Sequence, residues 1–339
     1  MKTTLVFFSL IFLGLLLLSF ELSFGSVDIP LTQVIESLFK GGSDNKSWNL
    51  IILESRLPRA ISAILAGSCL SVAGLAMQTL FRNPLAGPHI LGVSSGAGLG
   101  VALVIMSFGL LGFNLGGPVS STVILLASLA GGMAVLFLLF MVSLRIRDIL
   151  TVLIVGIMTG SISMALVGIL QYLSTDYQVK SFVLWTLGSF DGVTNQDLRI
   201  FMPAGILLMA TMVFFIKALN LLLTGEQYAR SMGLNVNRSR LGILMITGAL
   251  TALITAYCGP IGFVGVIVPH FSRLIFKTSD QMTLWISSML IGANVMLIAD
   301  LIAHLPGSAR ILPLNSITSL IGIPFIFWML LSRKLIKGV

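Results

Sequence analysis

The sequence predicts an all-α, polytopic membrane protein of about ten transmembrane helices, and three observations carry that prediction. Hydrophobic residues make up 56% of the 339 residues and charged residues only 9%, roughly a third of the ~25% that a globular domain uses to wet its surface. Mean hydropathy is +1.04. Apolar segments near the ~20 residues needed to cross a hydrocarbon core recur along the chain, without the period-2 alternation of barrel strands.

The first segment, 5–24, follows Lys2 and ends near Gly25-Ser26. Its apolar core exceeds the ~7–15 residues of a signal peptide, so an uncleaved helix is expected. Segment 58–81 opens on Pro58, which suits a first helical turn because its missing N–H leaves no unmet bond there. Segment 90–111 holds Gly92, Gly96 and Gly100 in overlapping small-xxx-small steps, and Gly156 with Gly160 repeats the pattern in 149–173. Such faces let backbones approach closely in lipid; packing within one subunit is their plain reading and a path lining the alternative. Segments 118–144 and 200–222 are further candidate spans, mostly apolar. Between 240–257 and 260–276 lies Gly259-Pro260-Ile261-Gly262-Phe263-Val264-Gly265. This stretch should break a helix, which membrane depth tolerates only where protein or a cavity covers the backbone. Segments 282–304 and 313–332 complete the set as one transmembrane domain, 1–339.

Charge placement orients the chain. With the N-terminus inside, ten spans put thirteen of the twenty Lys and Arg on the cytoplasmic side and nine of the twelve acidic residues outside. That asymmetry is the positive-inside pattern. The net charge of +8 is therefore topology, and no nucleic-acid partner is expected. The expected setting is the cytoplasmic (inner) membrane of a bacterium, multi-pass, in contact with lipid, with both termini cytoplasmic. Residues 181 apart also match: Arg59 with Arg240, Gly67 with Gly248, and Pro88-His89 with Pro269-His270. A shift of five spans is odd, so such a repeat would be inverted, a building plan of transporters.

Several chemistries are missing. Cys69 and Cys258 lie in apolar runs and make no disulfide framework. His89, His270 and His304 lack i,i+4 spacing, so no metal site or cofactor is expected. The nearest lookalike of a phosphate loop, Gly41-Gly42-Ser43-Asp44-Asn45-Lys46-Ser47, has the wrong spacing. No span carries a mid-membrane cluster of ionisable residues of the kind that marks ion-driven carriers. An ion-coupled secondary transporter is thus the alternative from another class, and no catalytic residue is expected in this chain.

The loop 223–240 is the most informative. It reads Gly225-Glu226-Gln227-Tyr228-Ala229-Arg230-Ser231-Met232-Gly233, then Arg238 and Arg240. Glu226 to Arg230 is a favourable i,i+4 pair, and Gly233 suits the end of a short helix. Such a helix would either dock a motor subunit or lie on the anionic inner leaflet.

At these residues the chain resembles the FecCD-type permeases of ABC importers, over roughly 50–334. The resemblance runs through Arg56-Leu57-Pro58-Arg59, Arg82-Asn83-Pro84-Leu85-Ala86-Gly87-Pro88, Leu91-Gly92 to Gly96-Ala97, Trp185-Thr186-Leu187-Gly188-Ser189, the Gly225–Gly233 loop, Gly259 to His270, Ala299-Asp300 and Ile321-Gly322-Ile323-Pro324-Phe325. It implies a homodimer of ten-span subunits, two ATP-binding-cassette ATPase subunits inside and a solute-binding protein outside. It also implies ATPase coupling at Gly225, Glu226, Ala229, Arg230 and Gly233, and binding-protein docking at Arg56 and Arg59. Asn83, Pro84, Gly92, Gly96, Gly259, Pro260, Gly262 and Gly265 would line the path or break its helices. His304 stands where many members have an arginine, with Arg310 six residues on, which leaves open which of the two supplies a third docking charge. The implied activity is inward translocation of an iron chelate by alternating access, a ferric siderophore first and haem or cobalamin as alternatives.

Overall fold

The computed structural model describes residues 2–25, 27–39, 45–110, 119–146, 148–304 and 311–331. Arg310, Lys40, Gly41–Asp44, Arg147 and the basic cluster Arg333, Lys334 and Lys337 lie outside the described residues. In order along the chain the helices are α1 (Lys2–Ser23), α2 (Leu31–Phe39) and α3 (Lys46–Leu50), which runs through a π-helical turn (Ile51–Arg56) into α4 (Leu57–Phe81). A 3-10 turn (Pro88–Leu91) leads to α5 (Val93–Leu110), α6 (Ser121–Arg145), α7 (Ile149–Leu173), α8 (Asp176–Thr186) and α9 (Asn195–Val213). Then come α10 (Ile216–Thr224), α11 (Glu226–Ser231), α12 (Val236–Cys258), α13 (Val264–Phe276), α14 (Gln281–Ala303) and α15 (Leu314–Leu331).

Among the described residues, seven of these helices are long and apolar enough to cross a membrane; Val93–Met106, Val264–Phe276 and Leu314–Met329 are shorter apolar helices. Together they stand at the ten predicted spans. Helix starts follow side-chain capping. Asp148 accepts from Thr151 N at 2.9 Å, Asp280 from Thr283 N at 2.8 Å and Asn235 from Arg238 N at 3.1 Å, while Thr194 and Asp197 form a capping box on α9. One predicted span is divided. Segment 200–222 turns at Phe214-Phe215 between α9 and α10, because the Phe215 ring fills the notch at Gly242 of α12, where a Cβ would lie 2.4 Å from it.

Helix α4 is the axis of the bundle, with almost every residue from Pro58 to Leu80 buried. It packs on α14, α12 and α13. Its glycines permit backbone contact: a Cβ on Gly67 would lie 2.1 Å from Gly292 O, and one on Gly74 would lie 1.7 Å from Gly265 O. Helix α5 meets α6 in the same way, with Gly100 against Ala127 O and Gly131 against Gly96 O.

The packing also repeats. Helix α12 packs on α4, α5 and α6, as α4 packs on α12, α13 and α14. The pairs α5 with α6, α5 with α7 and α6 with α7 recur as α13 with α14, α13 with α15 and α14 with α15. The matched glycines obey the same rule, since Gly67 seats on α14 and Gly248 on Leu136 of α6. A five-span shift carries each of these contacts onto its counterpart, as the predicted inverted repeat requires.

Gly67→Leu should therefore separate α4 from α14 and lower the unfolding temperature of the detergent-solubilised protein, at a loss of about 1–3 kcal/mol or more for overpacking. Gly168→Leu, where no atom lies within 4 Å of the added Cβ, should leave that temperature unchanged.

Candidate functional site

Three polar features interrupt the apolar bundle. The first is α11 with its flanking turns. Gly225 precedes the helix at φ 122, and Gly233 ends it at φ 83, conformations that L side chains rarely adopt. Leu234 N donates to Ala229 O and Gly233 N to Arg230 O, both at 3.0 Å, which is the paired-bond helix stop expected of a left-handed glycine. Ala229 is buried, whereas Tyr228 and Met232 are exposed. Arg230 lies 3.7 Å from Glu226, but both side chains face solvent, so this pair contributes little. The other Glu226 oxygen forms an ion pair with the largely buried Arg240 of α12.

The second feature sits at the opposite end of α4. Arg59 donates from Nε and Nη2 to Glu21 Oε1 of α1, and its Nε lies 3.0 Å from Asp300 Oδ2 of α14. Asp191, in the loop between α8 and α9, lies 3.8 Å from Arg59 Nη1. His304 Nε2 is 3.2 Å from both Asp191 oxygens, and Nδ1 is 3.2 Å from Asp300 Oδ1. Burial raises the Asp191 pKa, but the His304 hydrogen bond and charge, then Ser189 and Arg59, outweigh it and hold the carboxyl below its ordinary value. Arg56 donates to the carbonyls of Leu22 and Val27. Arg56 and Arg59 are only 3% and 7% exposed. Rather than projecting from the rim as a free positive pair, they turn into the bundle and fasten α1 to α4. Glu21 and Asp300 read separately as residues near helix ends; the fold brings them onto one guanidinium, a convergence that adjacent positions in the sequence do not signal.

The third feature is the broken backbone. Gly259 adopts φ 74 and Phe263 φ 68. Because Gly265 packs on Gly74, in the half of α4 nearer α11, the break lies within the bundle and not at its edge. Its backbone is covered as membrane depth requires: Ser189 N donates to Cys258 O and Gly262 N to Asn315 Oδ1. Beside it a cavity of about 420 Å³ is lined by Leu187, Asn315, Ser316, Ser319, Leu320, Ile323 and Pro324. These α15 residues were absent from the sequence-based site; a polar cluster, Asn315-Ser316 with Ser319, at the head of the last span was the available signal. Asn83 closes a local turn by accepting from Leu85 N, with Pro84 inside it. Gly92 is the left-handed stop of the 3-10 turn. Gly96 lies within α5 against Val135 and Gly131, and Gly265 lies within α13 against α4. Among the described residues, no group of His, Cys, Asp and Glu is placed to hold a metal ion.

A bundle of membrane-spanning helices with an inverted packing repeat and a break at depth defines a transport permease. The comparisons identify which kind: the model of the FecCD transport family matches residues 11–332, and the chain belongs to that family. It is 35% identical over 287 residues to the vitamin B12 import system permease protein BtuC of Klebsiella pneumoniae, covering 84% of this chain and 83% of the relative. It is 35% identical over 277 residues to the molybdate import system permease protein MolB of Haemophilus influenzae, covering 81% and 79%. An inward-facing structure of a metal-chelate type ABC transporter superposes with a TM-score of 0.83 at 29% identity, covering 97% of this chain and 99% of that one. The chain is thus an ABC importer permease, a transporter component and not an enzyme, with the ATPase in a separate subunit.

Arg59→Ala should leave the buried Glu21 carboxylate without its counter-charge and Asp300 with His304 alone, destabilising the subunit by about 3–5 kcal/mol. Adding Glu21→Gln to that variant should recover part of the loss, read as the unfolding midpoint in detergent.

Proposed function

We propose that this subunit passes an iron chelate inward, a ferric siderophore first, as half of a homodimer driven by two ATPase subunits. One observation carries the coupling part of this reading. A short helix, bounded by two glycines in conformations that other residues rarely adopt, presents exposed Tyr228 and Met232 beyond the spans, in a chain with no phosphate-binding loop. In this reading α11 faces the cytoplasm and couples to the ATPase through the segment formed by Gly225, Glu226, Ala229, Arg230 and Gly233, whose exposed Tyr228, Arg230 and Met232 make the contact. The Arg59 end then faces outward, and the membrane is the inner membrane of a bacterium with both termini cytoplasmic.

The solute-binding protein docks on the outer rim built by Arg56 and Arg59. With both guanidinium groups turned inward, the charges left accessible at this end include Asp28, Glu54, Asp191 and His304, and electrostatic complementarity there sets encounter rate more than affinity. Cargo passes the cavity at Asn315, Ser316 and Ser319, beside the Gly259–Gly265 break, because discontinuous helices near the midplane mark transport sites. The iron-chelate choice rests on the likeness to a metal-chelate type transporter. The B12 and molybdate relatives make cobalamin and an oxyanion the competing cargoes, with haem the further family alternative.

In proteoliposomes holding the complete complex, uptake of a ferric siderophore should persist when ion gradients are collapsed and stop when ATP is withheld. The reverse pattern identifies an ion-coupled carrier instead. Gly233→Leu places a side chain in open space but strains a left-handed backbone by about 1–2 kcal/mol. It should leave the subunit inserted and reduce copurification of the ATPase; unaltered copurification and uptake would return α11 to the lipid surface.

A further inference from the structure

Two arginines outside the α10–α11 segment reach it from opposite sides. Arg82 ends α4 with a left-handed backbone, φ 48. Arg82 N bonds Thr79 O and Asn83 N bonds Gln78 O, the pattern glycine usually completes. An arginine held there carries strain that glycine would avoid, and its Nη2 donates to Leu222 O in the last turn of α10. That guanidinium also lies 3.7 Å from where a Cβ of Gly225 would stand, so the tie falls on the hinge into α11. From the other side Arg240, 9% exposed, forms the ion pair with Glu226 in the first turn of α11. A third tie is backbone-directed: Gln281 N, at the start of α14, donates to Asn220 Oδ1 of α10 at 3.0 Å. Helices α4 and α12 in turn pack on each other.

We propose that Arg82 and Arg240 are positioning residues that clamp α11 between the ends of α4 and α12, so that a push on α11 moves both central helices together. The inference rests on the reading of α11 as the ATPase-docking helix. Physically, one Glu226 oxygen is held by Arg240, since a buried arginine without its carboxylate is strongly unfavourable, while the contact of the other with exposed Arg230 adds little. The residues left for an ATPase are then the exposed Tyr228, Arg230 and Met232. Arg82 acts through a neutral carbonyl, so it fixes distance and direction and neutralises no charge. Coupling between distant sites is carried by such contiguous ties, and here they end on the two helices that relate the halves of the repeat.

The experiment uses the full complex with its ATPase and binding protein, and reads uptake of a ferric siderophore per ATP hydrolysed. A cysteine at Tyr228 cross-linked to the ATPase reports docking separately. Arg82→Gln and Arg240→Gln should each lower uptake per ATP about tenfold, within the range of typical coupling free energies, while cross-link yield stays at the wild-type level. Arg82→Lys, which can still donate to Leu222 O, should retain most of the coupling. The exchange of Glu226→Arg with Arg240→Glu should restore what either single reversal loses. Unchanged uptake per ATP in both glutamine variants would overturn the clamp. So would an exchange no better than the single reversals with cross-linking intact, since Glu226 would then serve the ATPase directly. Failure of the wild-type cross-link would instead remove the docking reading, and the inference with it.

Discussion

The approach of other backbones to α4 within van der Waals distance underlies the rest of the architecture. In lipid there is no hydrophobic gain from bringing two apolar helices together, so association depends on close packing and polar ties. Gly67 on Gly292 and Gly74 on Gly265 supply the packing, and they set the depth at which α13 begins. From that contact follow the covered break at Gly259–Phe263, the Asn315 bond that stitches α15 to it, and the cavity alongside. Changing the α4 surface would shift all of these at once, because interiors at this density do not deform locally.

The polar groups divide into two kinds of work. At one end of α4, Arg59 gathers carboxylates from α1 and α14, with Asp191 nearby, and the result is a fastening between helices. At the other end Arg82 and Arg240 bond to the α10–α11 segment, which the proposed function makes the linkage to the ATPase. The matched positions Arg59 and Arg240 occupy corresponding places in the two halves of the repeat. Each takes a glutamate from an earlier helix, Glu21 of α1 and Glu226 of α11. The same element thus serves closure between helices in one half and, in the function proposed above, transmission in the other.

What the sequence shows of this follows from the range of each interaction. Spans and glycine stops are local, so the ten spans and the left-handed Gly233 are readable from composition and spacing. The turn at Phe214-Phe215 was not, because its cause is a notch at Gly242 in another helix. The burial of Arg56 and Arg59 was hidden for the same reason: an arginine beside Pro58 looks like an interfacial anchor until Glu21 and Asp300 are brought to it. The Glu226–Arg230 spacing was visible and is present, but the more buried partner, Arg240, lies fourteen residues away.

The Glu21–Arg59–Asp300 cluster has a consequence for biogenesis. Its members leave the ribosome in order: Arg59 follows Glu21 by 38 residues, and Asp300 comes only with the last but one span. A lone carboxylate in the hydrocarbon is costly, so α1 has reason to wait at the translocon, or to float high with Glu21 hydrated, until α4 arrives to neutralise it. The Glu21–Arg59 pair is then neutral, and Asp300 joins it late in synthesis with His304 of the same helix end beside it. Insertion of this chain is in that sense ordered by its electrostatics, and the first helix seats fully only once nearly all the others have been made.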